Sequence, residues 1–217
     1  MSYELKLNLT DRFRGIFNPD DNPFSIALIG AGSIGSNLAL LLARLGITDL
    51  TVYDYDLVED HNLGHQAYRV SDIGKPKVEA LKELIALATG TEIKIVNSKL
   101  DKTNPIKADI LIIGVDTMEA RKEIYGAAEF SFLLDGRMGG ETFNVYAISS
   151  LSKERYEKTL YSDEEASELP CGGRSIGYIS YLIAGIMENT LKKMIKGEDF
   201  PFEQNFCARN LIYQLSN

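Results

Sequence analysis

Ile26-Ala27-Leu28-Ile29-Gly30-Ala31-Gly32-Ser33-Ile34-Gly35 is the stretch that decides how this chain is read. A short apolar run passes into a turn of glycines and then into a segment, 33–45, with apolar residues at helical spacing. Strand, glycine turn and helix together make the phosphate-binding unit of dinucleotide folds. Gly30 permits the tight turn, Gly32 lets backbone approach a phosphate, and Gly35 lets the helix close on the strand. The free N–H groups and partial positive charge at the helix start favour an anion. The next apolar run, 50–53, ends at Asp54, 19 residues past Gly35, where a carboxylate usually accepts hydrogen bonds from a ribose. These residues point to a nucleotide and leave NAD, FAD, S-adenosylmethionine and ATP open.

Outward from this unit, short apolar runs alternate with helix-period segments: 26–29, 33–45, 50–53, 77–88, 93–96 and 110–113. That alternation predicts an α/β fold of the Rossmann-like, doubly wound kind, with a mostly parallel sheet. The run 132–134 leads through the glycine-rich 135–140 into 141–149, which alternates Phe143, Val145, Ala147 against Thr142, Asn144, Tyr146. Strands joined by a tight connection are expected there, so the sheet continues into a mixed, antiparallel C-terminal half. The polar, acidic segment within 151–175 reads as a mobile crossover loop. After it, 176–195 reads as one long, largely buried helix closed by Lys192, Lys193 and Lys196, and 205–215 as a final edge strand. The whole of 1–217 reads as a single domain with an N-terminal arm over 1–23.

Composition narrows the partners. With 45% hydrophobic and 25% charged residues, the chain has the make-up of an ordinary globular protein. A formal net charge of −8 argues against a broad basic surface, so nucleic acid is not an expected partner. No stretch approaches the roughly 20 apolar residues of a membrane-spanning helix, and the first ten residues alternate apolar and polar, so neither membrane insertion nor export is expected. Cys171 and Cys207 form no CxxC pair, which points to a reduced, cytoplasmic protein without structural zinc.

The residues after the second strand carry more information. They read Val52-Tyr53-Asp54-Tyr55-Asp56-Leu57-Val58-Glu59-Asp60-His61-Asn62-Leu63-Gly64-His65-Gln66, then Asp72-Ile73-Gly74-Lys75-Pro76-Lys77, then Gly114-Val115-Asp116-Thr117-Met118-Glu119-Ala120-Arg121. In order and spacing they resemble the adenylyltransferases of the ThiF, MoeB and HesA superfamily, relatives of the ubiquitin-activating enzymes, over roughly residues 12–195. The resemblance implies ATP and magnesium, and adenylation of a carboxylate, typically the C-terminus of a ubiquitin-like or sulfur-carrier protein or peptide, with release of pyrophosphate. It implies that Asp54, with Asp56 beside it, holds the ribose. Asn62, His65 and Lys77 would hold the triphosphate, and Asp116 would bind the metal beside the α-phosphate. Asp11-Arg12-Phe13-Arg14 resembles the segment from which these enzymes donate an arginine across a homodimer interface, which singles out Arg14. Cys171 lies where relatives that form thioesters or persulfides carry a cysteine.

Blander readings stand beside several of these. Lys77 follows Gly-Lys-Pro as a solvated helix start would, Asp116 could simply cap the next helix, and Arg14 could be a surface arginine. Cys171 could be structural, whereas Cys207, between Phe206 and Ala208, reads as buried and inert. One residue departs from the family: where relatives carry arginine in Asn-Leu-x-Arg-Gln, this chain has His65, whose charge depends on pH. Arg69 or Arg137 could take over that arginine's role. A nicotinamide-dependent oxidoreductase is the alternative enzyme, disfavoured because no hydride-site constellation accompanies the glycines. A nucleotide-binding pseudoenzyme acting as an interaction module is the non-enzymatic alternative.

Overall fold

The computed structural model describes residues 9–99, 105–161 and 176–217. The strands are β1 (Ile26–Ile29), β2 (Leu50–Tyr53), β3 (Lys94–Val96), β4 (Ile106–Lys107), β5 (Ile110–Ile113), β6 (Ala128–Glu129), β7 (Phe132–Gly139), β8 (Thr142–Ser149), β9 (Glu203–Cys207) and β10 (Ile212–Ser216). The helices are α1 (Ser33–Arg44), α2 (Lys77–Thr89), α3 (Met118–Ala127), α4 (Lys153–Glu157) and a long C-terminal helix, α5 (Gly177–Lys196). The main sheet has the order β10-β9-β8-β7-β5-β1-β2-β3. β3, β2, β1, β5 and β7 run parallel, and β7 to β10 pair antiparallel. The expected doubly wound, mostly parallel sheet with an antiparallel C-terminal half is therefore what the chain forms.

The central strands are apolar on both sides because both faces are covered. From one face Leu28, Val52 and Ile112 pack with α1, α2 and α5. From the other, Ile29, Leu111, Ile113 and Leu133 pack with Ile124 of α3 and Tyr156 of α4. Each such side chain, taken wholly out of water, contributes about 2 kcal/mol. The chain steps outward from β1 to β2 and β3, then returns to β5 on β1's other side. A cleft consequently opens beyond the C-terminal ends of β1 and β5.

Five expectations need correction. The glycine-rich 135–140 is mostly strand, and the turn falls at Gly140, at φ +60°. Gly136 can sit in β7 because α5 crosses so closely that a Cβ there would lie 2.6 Å from Met187 Sδ. The final edge strand is instead a hairpin, β9 with β10. The long helix is buried on one side only: Leu182 is 43% exposed, and Tyr178 and Tyr181 beside it are also exposed. Cys207, on β9, is half-buried. The crossover segment is partly regular as well, since α4 falls within it and anchors through the fully buried Tyr156. Apolar periodicity could not reveal that anchor, because one aromatic in a charged segment carries no period. The N-terminal arm is held by the buried Phe17 and by Lys196 Nζ on the Ile16 carbonyl, 3.1 Å. Cys171 lies outside the described residues.

Candidate functional site

At the end of β1 the chain turns through Gly30 at φ +94°, a left-handed conformation that side chains rarely adopt. A Cβ on Gly30 would lie 2.8 Å from the Gly114 carbonyl, and one on Gly35 would collide with the Gly30 carbonyl. A Cβ on Gly32 meets nothing within 4 Å. Protein packing therefore explains two of the three glycines, whereas the room over Gly32 is the cradle a bound phosphate would fill. Gly35→Ala is expected to destabilise the fold by about 3 kcal/mol through backbone collision. Gly32→Ala should stay within about 1 kcal/mol of the parent in denaturant unfolding and weaken nucleotide binding about tenfold by calorimetry. Equal effects of the two substitutions on stability would remove the distinction.

A cavity of about 1360 Å³ occupies the cleft. Gly30, Gly32, Asp54, Asp56, Asn62, His65, Lys77 and Asp116 all line it, so the tertiary fold gathers those expected residues around one space. Gly35 stands behind them as a packing residue, and Arg14 is elsewhere, exposed and 3.3 Å from Asp20.

Asp54 closes the glycine turn: Ala31 N donates to its Oδ2 at 2.6 Å, and Asp56 N to its Oδ1 at 2.8 Å. Burial raises its carboxyl above the usual value, outweighing those two N–H groups and the Lys77 charge. Tyr68 braces the same turn through its hydroxyl on the Ala31 carbonyl, 2.6 Å. Lys77 opens α2, and its side chain is only 9% exposed, with Nζ 2.8 Å from Asp56 Oδ2. It is no solvated helix start. Asn62 sits in a 3-10 turn (Asp60–Gly64), where its Oδ1 accepts from Glu59 N at 2.9 Å. With that oxygen engaged, its amide N–H groups are what it can offer the cavity.

Asp116 follows β5, but it does not cap α3. Thr117 does, accepting from Ala120 N at 3.2 Å, so the exposed Asp116 carboxylate is left to the cavity. Beneath that loop lies a network with no sequence signal. Asp135 is fully buried, with Arg121 Nε on one oxygen, and Arg137 Nε and the Tyr156 hydroxyl on the other, at 2.7, 2.7 and 2.9 Å. Burial alone would raise Asp135, but the two guanidinium groups outweigh it and hold it below the usual carboxylate value. Arg121 also donates to the carbonyls of Val115, Thr117 and Gly136, which fixes the loop bearing Asp116.

The expected stand-ins for a family arginine are both committed. Arg69 forks onto Asp72 at 2.9 Å through each nitrogen, and Arg137 is bound by Asp135 and by Thr159.

A doubly wound sheet with a polar cleft at its switch point is the architecture of Rossmann-type proteins. Within that class the chain belongs to the ThiF family, whose model matches residues 22–216. It is similar to the NEDD8-activating enzyme E1 catalytic subunit of Arabidopsis thaliana, 38% identical over 110 residues, covering 48% of this chain and 24% of that protein. It is also similar to the probable adenylyltransferase/sulfurtransferase MoeZ of Mycobacterium tuberculosis, 26% identical over 206 residues, covering 87% of this chain and 50% of the relative. The chain thus spans between a quarter and a half of these relatives. Among solved structures, E. coli MccB with AMPCPP and MccA superposes with a TM-score of 0.72 at 17% identity, over 92% of this chain and 65% of that one, a likeness of fold. Among the described residues no helix is long and apolar enough to cross a membrane.

Proposed function

We propose that this chain is an adenylyltransferase that uses ATP and magnesium to activate a carboxylate, the C-terminus of a ubiquitin-like or sulfur-carrier protein or of a peptide, releasing pyrophosphate. The observation that carries the reading is Asp116, released from capping by Thr117 and lining the same cavity as the glycine turn and Lys77. The relatives' names, which include adenylyltransferases and enzymes activating ubiquitin-like modifiers, and the solved MccB complexes with ATP and with the peptide MccA, support it.

In this reading Asp54 accepts from the ribose hydroxyls, with Asp56 orienting Lys77. The polyphosphate lies over Gly32 at the start of α1, with Lys77, Asn62 and His65 as donors. Asp116 would hold the magnesium, which would supply charge neutralisation at the phosphates. A carboxylate oxygen forms the new bond to the α-phosphorus as the α–β bridging P–O bond breaks, and pyrophosphate leaves. The nucleophile is already ionised near neutral pH, so no general base is required. The chain's task is to align two anions and offset their charge. Among the described residues three of its lining cations are engaged, Lys77 by Asp56 and Arg121 and Arg137 by Asp135, and Lys99 lies at its exposed edge. A metal, and Arg14 donated by the second copy in a homodimer, would supply what is missing.

Exchange of labelled pyrophosphate into ATP, dependent on an added carboxylate partner, tests the reading. Tight NADH binding without ATP binding would favour the oxidoreductase, and ATP binding with no exchange by any partner would favour the pseudoenzyme. Cys171 is the residue we assign to a following acyl transfer. Cys171→Ala is expected to leave exchange intact and to abolish any covalent product seen by mass spectrometry, and an unchanged product yield would refute that role.

A further inference from the structure

His65 is one of two histidines in the chain, and it occupies an unusual electrostatic position. Its Nδ1 lies 2.6 Å from Ser33 Oγ, and Ser33 is the first residue of α1. Its backbone is gripped from the other side: the Ser180 hydroxyl lies 2.9 Å and Asn37 Nδ2 3.1 Å from its carbonyl. Gly177, which opens α5, comes so close that a Cβ there would collide with the Gly64 carbonyl. The start of α1 thus meets the imidazole, and the start of α5 holds the backbone that carries it. The other groups facing it are Lys77 from α2, already paired with Asp56, and His61 from its own turn, 3.2 Å from Glu59. Ser33 and Ser180 do not titrate in this range. With Nδ1 occupied, Nε2 is the ring nitrogen left to the cavity.

Gln66, the next residue, is an independent sign of a ligand here. It is only 7% exposed, it lines the cavity, and its Oε1 is buried without a hydrogen-bond partner. A buried acceptor left unsatisfied is unfavourable by about 1–3 kcal/mol, so it marks a place completed by a donor, such as a ribose hydroxyl of a bound nucleotide or a water of hydration, and not by the polyanion itself.

We infer that His65 is a proton-switched member of the polyphosphate site: neutral and oriented by Ser33 in the free protein, protonated once the polyanion is bound. Binding then takes up one proton from solvent, and the positive charge that relatives obtain from a fixed arginine is generated here by the ligand itself. The inference rests on the ATP reading for the nucleotide, but only on a polyphosphate for the switch. Burial first, then His61 and Lys77, hold the free imidazole below its ordinary value near 6.5, while an adjacent polyanion raises it. The sign follows: a group bound more strongly in its protonated form gives tighter binding as pH falls between the free and bound values.

The test is calorimetric titration of the full chain with inorganic tripolyphosphate and, separately, with ATP, in two buffers of different ionisation enthalpy. Relative to His65→Gln, the parent should gain about tenfold in tripolyphosphate affinity from pH 8 to pH 6, with proton uptake that the variant lacks. His65→Arg should bind at pH 8 as the parent does at pH 6. Absence of uptake in the parent, or the same uptake in His65→Gln, overturns the inference. Uptake with tripolyphosphate but no binding of ATP leaves the switch standing and refutes the ATP reading, whereas failure of both ligands to bind refutes both.

Discussion

Asp116→Ala is expected to lower partner-dependent pyrophosphate exchange by on the order of 10³-fold or more, because it removes the carboxylate assigned to the metal beside the α-phosphate. The fold should survive. Asp116 is exposed, and the cap of α3 is Thr117, so no packed group or helix terminus is lost. Two measurements separate this from general damage: denaturant unfolding close to the parent's, and ATP-induced thermal stabilisation that no longer responds to magnesium. Near-normal exchange would overturn the assignment.

The second large effect is on stability. Asp135→Ala leaves Arg121 and Arg137, both buried, without their shared counter-ion, a loss of about 3–5 kcal/mol. Against the roughly 5–15 kcal/mol of a whole domain, that brings the protein close to unfolding at moderate temperature. Asp135→Asn keeps an acceptor and should lose less, yet it should still depress exchange, because Arg121 anchors the carbonyls of Val115 and Thr117 on either side of Asp116. The pH dependence has a definite sign. Asp135 is held below its unfolded value of about 3.9, so its contribution is complete above that pH and is lost as pH falls through the folded value. The parent's stability should therefore fall more steeply than that of Asp135→Ala below about pH 4. A stability loss under 1 kcal/mol on removing Asp135 would show the network to be dispensable.

The parts of the fold legible in the sequence were those with local signals. β1 and β5 are unbroken apolar runs because both faces of a central parallel strand are buried, β2 alternates buried Leu50 and Val52 with Thr51 and Tyr53, and α1 and α2 have apolar periods and glycine breaks. The hairpin of β9 and β10 reads as one strand in the sequence because its turn, through Leu211 at φ +52°, contains neither glycine nor proline. β4 and β6 are two residues each, too short for any period to register. α4 reads as loop in the sequence because charged residues surround Tyr156, its one buried anchor.

By itself, the sequence determined the glycine turn, the acid after β2, and the presence of Asn62, Lys77 and Asp116 in an order that belongs to one family. Spacing along the chain encodes these because each lies at the end of a strand, the start of a helix or in a short turn, where local rules apply. Only the tertiary structure decided which of them are available. Thr117 takes the capping role and frees Asp116, Asp56 commits Lys77, and Asp135 and Asp72 withdraw Arg137 and Arg69, the expected stand-ins for the family's arginine. A carboxylate can neutralise a cation only at contact distance, and contacts between β7, α3 and the segment after α4 are set by how the sheet closes.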